Sequence, residues 1–586
     1  MKLSDYIVEF LENKSIDNVF GYIGGSITHM VDSISKSKKI NFIQVYHEQT
    51  AAIAAEGYSR NSNKIGVAMA TSGPGATNLI TGIADAYFDS IPTVYITGQV
   101  NTYEYKYDKP IRQQGFQETD VVNIVKPITK YAVLVDDANE IRYHLEKAFE
   151  IAQSGRPGPV LLDIPMNIQR TDINPNKINK YDKKITVKEK SLDIKKIKEM
   201  IGNSERPLIL SGGGIIKAKA ENLLNEFAEK NNLPVVTSLM GKGAFNEESE
   251  LFVGMIGSYG NRCANMAISN ADLLIALGSR LDTRQTGALL EGFLREGKII
   301  HVDIDQDELD FNRLPRREKI SLDVKKFLNE IININFRVNS REKWYNYLDK
   351  LKLNYNQEKE IKKNVVNKFP YKIMDVVNYY SRKKDIFCID VGQNQMFAAQ
   401  KIKIKNGQKF FTSGGLAPMG YALPAAIGAS FATPQRRIIA ITGDGGFQIS
   451  TQSLMLISQY NLPIKVLVLN NKSLGLITQF QDLYFDKRKV GTMKKSGYHV
   501  PGIKDIAKAY NLDYYKVNKN DIENREYLDE IFKNDKNCII EFLIEGLTKV
   551  FPKLEYDSPI EDPTPKLKRI ELEENMWIKP YNQLDK

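Results

Sequence analysis

Short apolar runs alternate with longer segments of mixed polarity through most of the chain. The short runs are rich in Val, Ile and Leu, which predicts buried strands, and the segments between them carry apolar residues at helical spacing. Strands and helices in regular alternation predict parallel sheets covered by helices. The predicted strands are 42–46, 65–71, 93–97, 160–164, 207–210, 273–277, 299–302, 437–442 and 464–469.

Breaks in this pattern divide the chain into three α/β domains, each predicted to be a doubly wound parallel sheet. The breaks are polar segments without a clear apolar period. The predicted domains are 1–170, 191–335 and 369–548, with a linker at 171–190, a helix-rich connector at 336–368 and a tail at 549–586.

The composition is that of a large globular protein with 42% hydrophobic residues among 586. No stretch approaches the ~20 apolar residues of a membrane span, and residues 1–19 are too polar for a secretory signal. The cysteines, Cys263, Cys388 and Cys538, lie far apart and lack metal-ligand spacing, which suits a reducing cytoplasm. The net charge of +10 comes mostly from scattered Lys. We therefore expect no nucleic-acid partner, although a basic surface favours an anionic substrate.

One strand–helix–strand unit, 437–475, carries the strongest chemical signal. The strands at 437–442 and 464–469 flank a helix predicted at 451–459. Ligands of such units bind beyond the carboxyl ends of the parallel strands. Asp444 follows the first strand and Asn471 follows the second, so we expect these two side chains to meet in space.

The residues at these strand ends suit a magnesium-bound diphosphate. Carboxylate and amide oxygens are the hard ligands that Mg²⁺ prefers. The glycines around Asp444 let backbone N–H groups approach a phosphate closely; they are Gly443, Gly445 and Gly446. Gly-Asp-Gly followed at this interval by Asn-Asn resembles the diphosphate-binding motif of thiamine diphosphate (ThDP) enzymes. The resemblance implies that Asp444, Asn471 and the carbonyl of Ser473 hold Mg²⁺.

Glu48 precedes a helix predicted at 51–60, where the positive end of the helix dipole favours an ionised carboxylate. In a ThDP enzyme, a carboxyl group hydrogen-bonded to the aminopyrimidine promotes the tautomer in which the cofactor acts as its own base. ThDP enzymes place this glutamate opposite the diphosphate domain, usually in the partner subunit. The resemblance therefore implies this role for Glu48, and a homodimer or a dimer of dimers.

Longer runs resemble the catalytic subunits of acetolactate synthases over most of the chain. These runs include HEQTAAIAAEGYSR, ATSGPGATNLITGIADAYFDSIP and GRPGPVLLDIP in the first domain, LMGKGAF, GMIGSYG and ADLLIALGSRLDTRQTG in the second, and DVGQNQM, APMGYALPAAIGA and LGLITQFQ in the third. That family decarboxylates pyruvate on ThDP and joins the two-carbon unit to a second carbonyl. The resemblance implies a carbon–carbon bond-forming transferase of the same type.

The same resemblance implies roles for further residues. Met419 would hold ThDP bent, Gln393 would contact the diphosphate, Gln117 would lie near the reacting carbons, and the backbone at Gly25 would border the thiazolium ring. The middle domain resembles the FAD-binding form of the family, so we expect bound FAD; a vestigial domain is the alternative, because carboligation has no net redox change. The implied FAD contacts are Gly213, Gly214, Gly257, Gly278, Ser279, Arg280, Asp303 and Asp305.

Several positions depart from the family's pattern and bear on the acceptor substrate. Phe480 stands where the synthases usually have a tryptophan that favours 2-ketobutyrate. His29 stands near the cofactor loop where the family has an apolar residue or Pro. The link 101–114 is longer than usual, and its Arg112 is a cation suited to phosphate or carboxylate. Phe116, in the GFQE run, is a further candidate substrate contact.

The tail resembles that of synthase-like proteins associated with unusual sugars. Two acceptors therefore stay open: a second 2-keto acid, giving acetolactate, and a nucleotide-activated ketosugar, giving a branched sugar. A flavin-dependent pyruvate oxidase is an alternative with the same domains and cofactors. A simple decarboxylase is disfavoured because the five histidines include no adjacent pair. A non-enzymatic relic is disfavoured because Glu48, Asp444 and Asn471 are intact. The sequence leaves open whether a regulatory subunit exists.

Overall fold

The computed structural model of the chain describes residues 1–182, 192–334, 336 and 340–581. These residues form three six-stranded parallel sheets flanked by helices, which confirms the predicted α/β fold class. Every predicted strand is present, with its ends shifted by at most two residues. The predicted linker lies partly outside the described residues, at 183–190, as do 191, 335 and 337–339 at the edges of the second domain and the connector.

The first sheet has the strand order β2-β1-β3-β4-β6-β5. Its strands are β1 (Asn18–Tyr22), β2 (Asn41–Gln44), β3 (Gly66–Ala70), β4 (Thr93–Gln99), β5 (Tyr131–Leu134) and β6 (Val160–Pro165). The order reverses between β1 and β3, and such a reversal opens a crevice at the carboxyl ends of the two strands, where α/β proteins bind ligands.

The second sheet has the order β12-β11-β10-β7-β8-β9, which reverses between β7 and β10. Its strands are β7 (Pro207–Ser211), β8 (Val235–Thr237), β9 (Phe252–Met255), β10 (Leu273–Leu277), β11 (Lys298–Asp303) and β12 (Arg317–Ser321). This is the strand order of dinucleotide-binding sheets, which bind their ligand at the reversal.

The third sheet repeats the strand order of the first, as β14-β13-β15-β16-β18-β17. Its strands are β13 (Ile386–Ile389), β14 (Lys409–Phe411), β15 (Ile438–Gly443), β16 (Ile464–Asn470), β17 (Asp513–Val517) and β18 (Cys538–Leu543). The first and third domains therefore share one topology, and the third has its own ligand crevice between β13 and β15.

The helices cover both faces of the sheets with amphipathic or wholly buried surfaces. In the first domain they are Leu3–Asn13, Thr28–Ser35, Glu48–Ser62, Pro74–Asn78, Ile80–Phe88, Val121–Val125, Ile141–Gln153 and Met166–Gln169. In the second domain they are Ile194–Asn203, Gly213–Lys217, Glu221–Lys230, Arg262–Asn270, Thr283–Thr286, Gln306–Asp310 and Val324–Ile331, followed by Glu342–Tyr355 and Gln357–Asn364 within the predicted connector. In the third domain and tail they are Phe369–Tyr380, Gln393–Lys401, Ala422–Ala432, Asp444–Ile449, Leu454–Gln459, Gly475–Tyr484, Ile503–Ala509, Arg525–Lys533 and Arg569–Glu574.

The segment after β15 differs from its prediction as a loop followed by a helix at 451–459. An α-helix already begins at Asp444, and residues 451–453 form a short 3-10 turn before the helix Leu454–Gln459. Glycine has a low helix propensity, so Gly445 and Gly446 led to the prediction of a loop where the structure has a helix. Packing overrides that propensity, because both glycines are buried against neighbouring segments.

The first and third domains dock through two helices that approach backbone to backbone. A Cβ on Gly57 would lie 2.2 Å from the carbonyl oxygen of Ala425, and a Cβ on Gly428 would lie 1.8 Å from that of Ala54. Asn61 Nδ2 adds a hydrogen bond of 2.8 Å to the carbonyl of Ala429. Glycine is therefore required at both crossing points.

The tail folds back onto the second domain and the connector. The buried guanidinium of Arg262 donates to the carbonyls of Pro563 and Pro565 at 3.1 and 2.6 Å. The backbone N–H of Trp577 donates to Asn270 Oδ1 at 2.7 Å. Within the described ranges, none of the helices is both long and apolar enough to cross a membrane.

Candidate active site

The three predicted metal ligands lie together at the carboxyl ends of β15 and β16. Asp444 is buried, and its Oδ2 accepts a hydrogen bond of 2.6 Å from the backbone N–H of Lys472, which stands between Asn471 and Ser473. Asn471 Oδ1 accepts from the backbone N–H of Ser473 at 3.0 Å. Burial raises the pKa of Asp444, and a hydrogen bond from Tyr498 opposes that rise. The arrangement holds the carboxylate of Asp444 against the turn that carries the Asn471 amide and the Ser473 carbonyl.

The glycines around Asp444 lie where a side chain would crowd neighbouring atoms. A Cβ on Gly445 would lie 3.0 Å from both Met419 Cε and Tyr498 Oη. A Cβ on Gly446 would lie 2.8 Å from Cγ of Asp390, and one on Gly443 would lie 3.3 Å from the side chain of Asn394. Met419 therefore lies beside Gly445.

Asp390, which follows β13, holds the backbone on one side of this crevice through hydrogen bonds. Its buried carboxylate accepts hydrogen bonds from the backbone N–H groups of Val391 at 2.8 Å and Gly420 at 2.9 Å. Gly420 has φ +86°, so its turn needs glycine, and that turn directly follows Met419. Burial raises the pKa of Asp390 to about 6, and its hydrogen bonds counteract the shift. Asp390 thus fixes the position of Met419.

Gln393 begins the next helix and lies next to the metal-ligand turn. Its Oε1 accepts from Thr548 Oγ1 at 2.6 Å and from Asn471 Nδ2 at 3.4 Å. Its Nε2 donates to the carbonyl of Thr548 at 2.9 Å. The structure therefore brings Gln393 together with the predicted metal and diphosphate residues.

A second group of predicted residues surrounds Glu48 in the first domain. Glu48 is the first residue of its helix and only 6% exposed, and its Oε2 accepts a hydrogen bond of 2.9 Å from Asn78 Nδ2. A Cβ on Gly75 would lie 3.2 Å from Glu48 Oε1. His47 caps the helix, because its Nδ1 accepts from the backbone N–H of Gln49 at 3.1 Å.

Gln117 and Gly25 lie along the same crevice as Glu48. A Cβ on Gly73 would lie 3.0 Å from Gln117, which itself has the left-handed φ of +63°. Next to Gly25, the hydroxyl of Ser26 is 2.9 Å from that of Thr71, in the turn that leads to Gly73. A Cβ on Gly25 would meet nothing within 4 Å, so this backbone borders open space.

The Glu48 group and the Asp444 group are two separate half-sites. Within the described part of the chain, no hydrogen bond joins them. Exposed apolar side chains stand beside both half-sites: Tyr46 and Phe116 near the first, and Leu416 and Ile449 near the second. Phe116 is 87% exposed, an unusual exposure for so large an apolar side chain.

The other candidate substrate residues are dispersed. His29 lies among Lys2 and Arg170, and burial together with these cations lowers its pKa. Arg112 is exposed in a loop that is organised by the buried carboxylate of Glu118. That carboxylate accepts backbone hydrogen bonds at 2.8, 2.6 and 3.1 Å from Lys106, Gln114 and Gly115, respectively. Phe480 lies on the helix Gly475–Tyr484 and packs against Tyr484, Phe485 and Tyr556.

A cavity of 740 Å³ lies where the second domain meets the other two. Six of the eight predicted FAD contacts line it: Gly213, Gly214, Gly278, Ser279, Arg280 and Asp303. The other two, Gly257 and Asp305, are each next in sequence to a lining residue, and Asp305 forms an ion pair of 3.1 Å with Arg156. Burial raises the pKa of Asp303 to about 6.

The cavity opens at the strand reversal of the second sheet. Gly214 follows β7, and its N–H donates to the carbonyl of Gly278, which follows β10, at 2.9 Å. Gly278 has φ +58°, and a Cβ there would lie 2.6 Å from Cα of Gly214. Both glycines are needed for the close approach that dinucleotide-binding turns require.

Comparison with known proteins matches all three domains to thiamine pyrophosphate enzymes. The N-terminal TPP binding domain matches residues 1–124, the central domain 194–331 and the C-terminal TPP binding domain 390–542. The chain is 37% identical to the acetolactate synthase large subunit of Cyanidium caldarium, with 94% of each chain covered. The chain belongs to the acetolactate synthase family of thiamine pyrophosphate enzymes.

Two further members of the acetolactate synthase family show similar agreement. The probable large subunit of Methanocaldococcus jannaschii is 37% identical, covering 93% of this chain and 92% of that one. The large subunit of Corynebacterium glutamicum is 36% identical, covering 95% and 89%, respectively. These similarities confirm a ThDP-dependent enzyme of acetolactate synthase type.

Sequence reasoning missed three residues that shape the site of this acetolactate synthase-type enzyme. Asp390 supports the Met419 turn, Tyr498 contacts Asp444, and Asn78 orients Glu48. Asp390 had a usable signal, because it ends a buried strand at the sheet reversal and precedes a glycine turn. Tyr498 had none, because it lies in a segment without a motif of its own, and Asn78 lies in the ATSGPGATNL run, whose resemblance assigned it no role.

Proposed function

We propose that this chain is a ThDP- and Mg²⁺-dependent carboligase that decarboxylates pyruvate and transfers the two-carbon unit to a second 2-keto acid, giving acetolactate. The observation that carries the proposal is the position of Asp444 against the turn of Asn471 and Ser473, at the ends of two neighbouring parallel strands. The name that the relatives bear, acetolactate synthase large subunit, supports the same reaction.

The residues present fit Mg²⁺ and a diphosphate. Asp444, the amide oxygen of Asn471 and the carbonyl of Ser473 are hard donors and would hold the metal. Gly445 and Gly446 lie in the first turn of the helix that begins at Asp444, where backbone N–H groups without helical partners could donate to phosphate oxygens. When bound, ThDP supplies the electron-accepting ring that removal of CO₂ from a 2-keto acid requires.

Glu48 is the group proposed to protonate and orient the aminopyrimidine of the cofactor. Its carboxyl is buried at a helix start, and Asn78 holds Oε2, which leaves Oε1 at the Gly75 turn. Gln117 and the open Gly25 backbone lie along the same crevice, where a keto acid could be positioned. Met419 would support the cofactor from the opposite half-site.

Because the two half-sites are separate, we propose that they meet across the interface of a homodimer, or of a dimer of dimers. The exposed Phe116 and Ile449 stand beside the two half-sites and would be covered by such an interface. The relatives are named large subunits, which supports a second, smaller chain as a further partner.

FAD is the proposed occupant of the cavity in the second domain. The cavity volume of 740 Å³ is within the roughly 300–1,000 Å³ of ligand pockets, and the strand order is that of dinucleotide-binding sheets. Gly278→Val should remove bound flavin, measured by its visible absorption after purification. Gly491→Val is the matched control, because Gly491 has a similar φ of +67° but lies in an exposed loop with no atom within 4 Å of its Cβ.

A nucleotide-activated ketosugar is the second candidate acceptor. It is favoured by Arg112, an exposed cation on a loop that Glu118 holds in a fixed shape. An ordered loop presents a cation to a phosphate at a lower entropic cost than a disordered one. This reaction would use the same donor step and give a branched sugar.

Product analysis by mass spectrometry tests these alternatives. The protein is incubated with ThDP, Mg²⁺ and FAD, first with pyruvate alone, then with 2-ketobutyrate or a nucleotide-linked ketosugar added. Acetolactate from pyruvate alone supports the main proposal. Oxygen uptake without a carbon–carbon product would instead identify a pyruvate oxidase, and the absence of any new carbon–carbon bond with every acceptor would overturn the carboligase proposal.

A further inference from the structure

A buried lysine in the tail, Lys553, faces a group of aromatic rings on the helix that carries Phe480. Its Nζ lies 5.5 Å from the ring centroid of Phe480 and 5.3 Å from that of Tyr484. Tyr556 completes this aromatic group, with its centroid 6.0 Å from Phe480 and 5.3 Å from Tyr484. Lys553 is only 6% exposed.

Among the described residues, the ammonium of Lys553 lacks the polar partner that each of the other buried lysines has. Lys242 forms an ion pair with Glu247 at 2.9 Å, Lys401 forms one with Asp375 at 3.0 Å, and Lys465 donates a hydrogen bond to Asn534 at 3.1 Å. For Lys553, the described part of the chain supplies the two rings and neither an ion pair nor a hydrogen-bond acceptor. Burial lowers its pKa, and only the nearby charge of Glu555 opposes this.

A buried cation without an anion is costly, and contact with aromatic rings offsets only part of the cost. The aromatic rings alone therefore do not explain why a lysine is buried at this position. An oxyanion from a ligand would supply the missing partner and make a charge-assisted hydrogen bond.

Hydrogen bonds hold the backbone around Lys553 between the cavity of the second domain and the helix that carries Phe480. Its N–H donates to the carbonyl of Thr564 at 2.9 Å, and the N–H of Leu554 donates to the carbonyl of Ser258 at 2.7 Å. Ser258 lines the large cavity of the second domain. On the other side, the N–H of Val550 donates at 2.9 Å to Gln479, the residue before Phe480.

We propose that Lys553 is an anion-binding residue of the acceptor subsite. Its ammonium would donate hydrogen bonds to the carboxylate or phosphate of the acceptor, while Phe480 and Tyr484 form the apolar wall beside it. The proposal rests on the carboligase function proposed above. It adds that the site selects an acceptor with a negative charge.

Lys553→Met tests the proposal because it keeps the length of the side chain and removes the charge, and Lys553→Arg keeps the charge. Lys549→Met is the matched control, since Lys549 lies on the same tail, is 44% exposed and forms a loose ion pair of 3.6 Å with Asp482. The acceptors are 2-ketobutyrate, a nucleotide-linked ketosugar and the neutral acetaldehyde. The measurements are acceptor KM, CO₂ release from pyruvate and thermal stability of the holoenzyme.

We expect Lys553→Met to raise KM for an anionic acceptor about ten- to hundredfold, as loss of a charged hydrogen bond does. KM for acetaldehyde and CO₂ release with acetaldehyde should stay unchanged, and thermal stability should not fall, because the variant removes an unpaired buried charge. Lys553→Arg should restore most of the affinity. An effect on 2-ketobutyrate alone identifies a carboxylate ligand, and an effect on the sugar alone identifies a phosphate.

The inference is overturned if Lys553→Met leaves KM of both anionic acceptors unchanged. It is also overturned if anionic and neutral acceptors are affected equally and stability falls, because Lys553 then only supports the aromatic group. If the unmodified protein makes no carbon–carbon product, the proposed function fails separately. Calorimetric titration of the holoenzyme with each anionic acceptor then decides the inference, and equal binding by the original and Lys553→Met proteins rejects it.

Discussion

The phenol of Tyr498 donates a hydrogen bond to Oδ1 of Asp444 across 2.6 Å. The two residues are 54 positions apart, so the bond links the loop after the helix Gly475–Tyr484 to the helix that begins at Asp444. The same loop is joined to the metal-ligand turn by a β-bridge between Ser473 and Met493. The loop that follows the Phe480 helix is thus connected directly to the proposed metal site.

Asp444→Ala should abolish binding of Mg²⁺ and ThDP together, because in the proposed site Asp444 would hold the metal that binds the diphosphate. Tyr498→Phe keeps the ring and removes one hydrogen bond, so it should change ThDP affinity by no more than about tenfold. Calorimetric titration with ThDP in the presence of Mg²⁺ measures both. Unchanged ThDP affinity in Asp444→Ala would show that the metal is held elsewhere.

Glu48→Gln should retain ThDP but lose most activity. The amide fits the space beside Asn78, yet it lacks the acidic proton that the aminopyrimidine needs. Loss of such an acid–base group typically costs about 10²–10⁴-fold in rate. Turnover and ThDP affinity are measured in parallel, with Glu48→Asp as the variant that keeps the acid. Near-normal turnover of Glu48→Gln would refute the assigned role.

Mixing two inactive variants tests the shared interface. If Glu48 and Asp444 of one cofactor site come from different subunits, a mixed dimer of Glu48→Gln and Asp444→Ala chains contains one intact site. Random pairing should then restore about one quarter of the original activity, following from two-fold symmetry. The measurement is the activity of co-expressed chains, with light scattering to establish the dimer or tetramer. Persistent inactivity of correctly assembled mixtures would mean that one chain supplies both residues.

Phe480→Trp should increase the preference for 2-ketobutyrate over pyruvate as acceptor. A packing contact of this size changes preference by about 10–200-fold. The measurement is the product ratio in competition between the two acceptors. Phe485→Trp, on the neighbouring and more exposed ring, is the control, and an equal shift in both variants would contradict a specific role for Phe480.

His301 should make the second domain sensitive to acid. It is fully buried, its Nε2 lies 2.8 Å from the carbonyl of Ser279, and burial lowers its pKa from 6.5 to about 4. The folded state therefore binds fewer protons than the unfolded state between these values. This contribution to stability is complete above pH 6.5 and is lost as the pH falls to 4, amounting to about 3 kcal/mol.

The measurement is unfolding of the original protein and of His301→Gln by denaturant at pH 7.5 and pH 4.5. The variant cannot titrate, so the difference in unfolding free energy between the two proteins should narrow at the lower pH. A difference that is independent of pH would show that the pKa of His301 is the same in the folded and unfolded states, and a difference that widens at pH 4.5 would show that folding raises this pKa.

The sequence by itself determined the strands and helices and the proposed metal-binding part of the site. Strands with buried faces and helices with one apolar side have periods set by local geometry, so β15 and β16 were predictable within two residues. Asp444 and Asn471 were predictable as neighbours because parallel strands end at the same edge of a sheet. Glu48 was predictable at a helix start, although its partner Asn78 was not.

Only the tertiary structure decided which distant segments complete these motifs. Tyr498 lies in a loop and Lys553 in the tail, where no period constrains the chain and position depends on packing against distant segments. The tail shows this most clearly, because its sequence has no regular pattern and yet Lys553 is buried against Phe480. Burial against a segment distant in sequence, rather than local propensity, determines this contact. The contact between Lys553 and Phe480 therefore cannot be predicted from the sequence pattern of the tail.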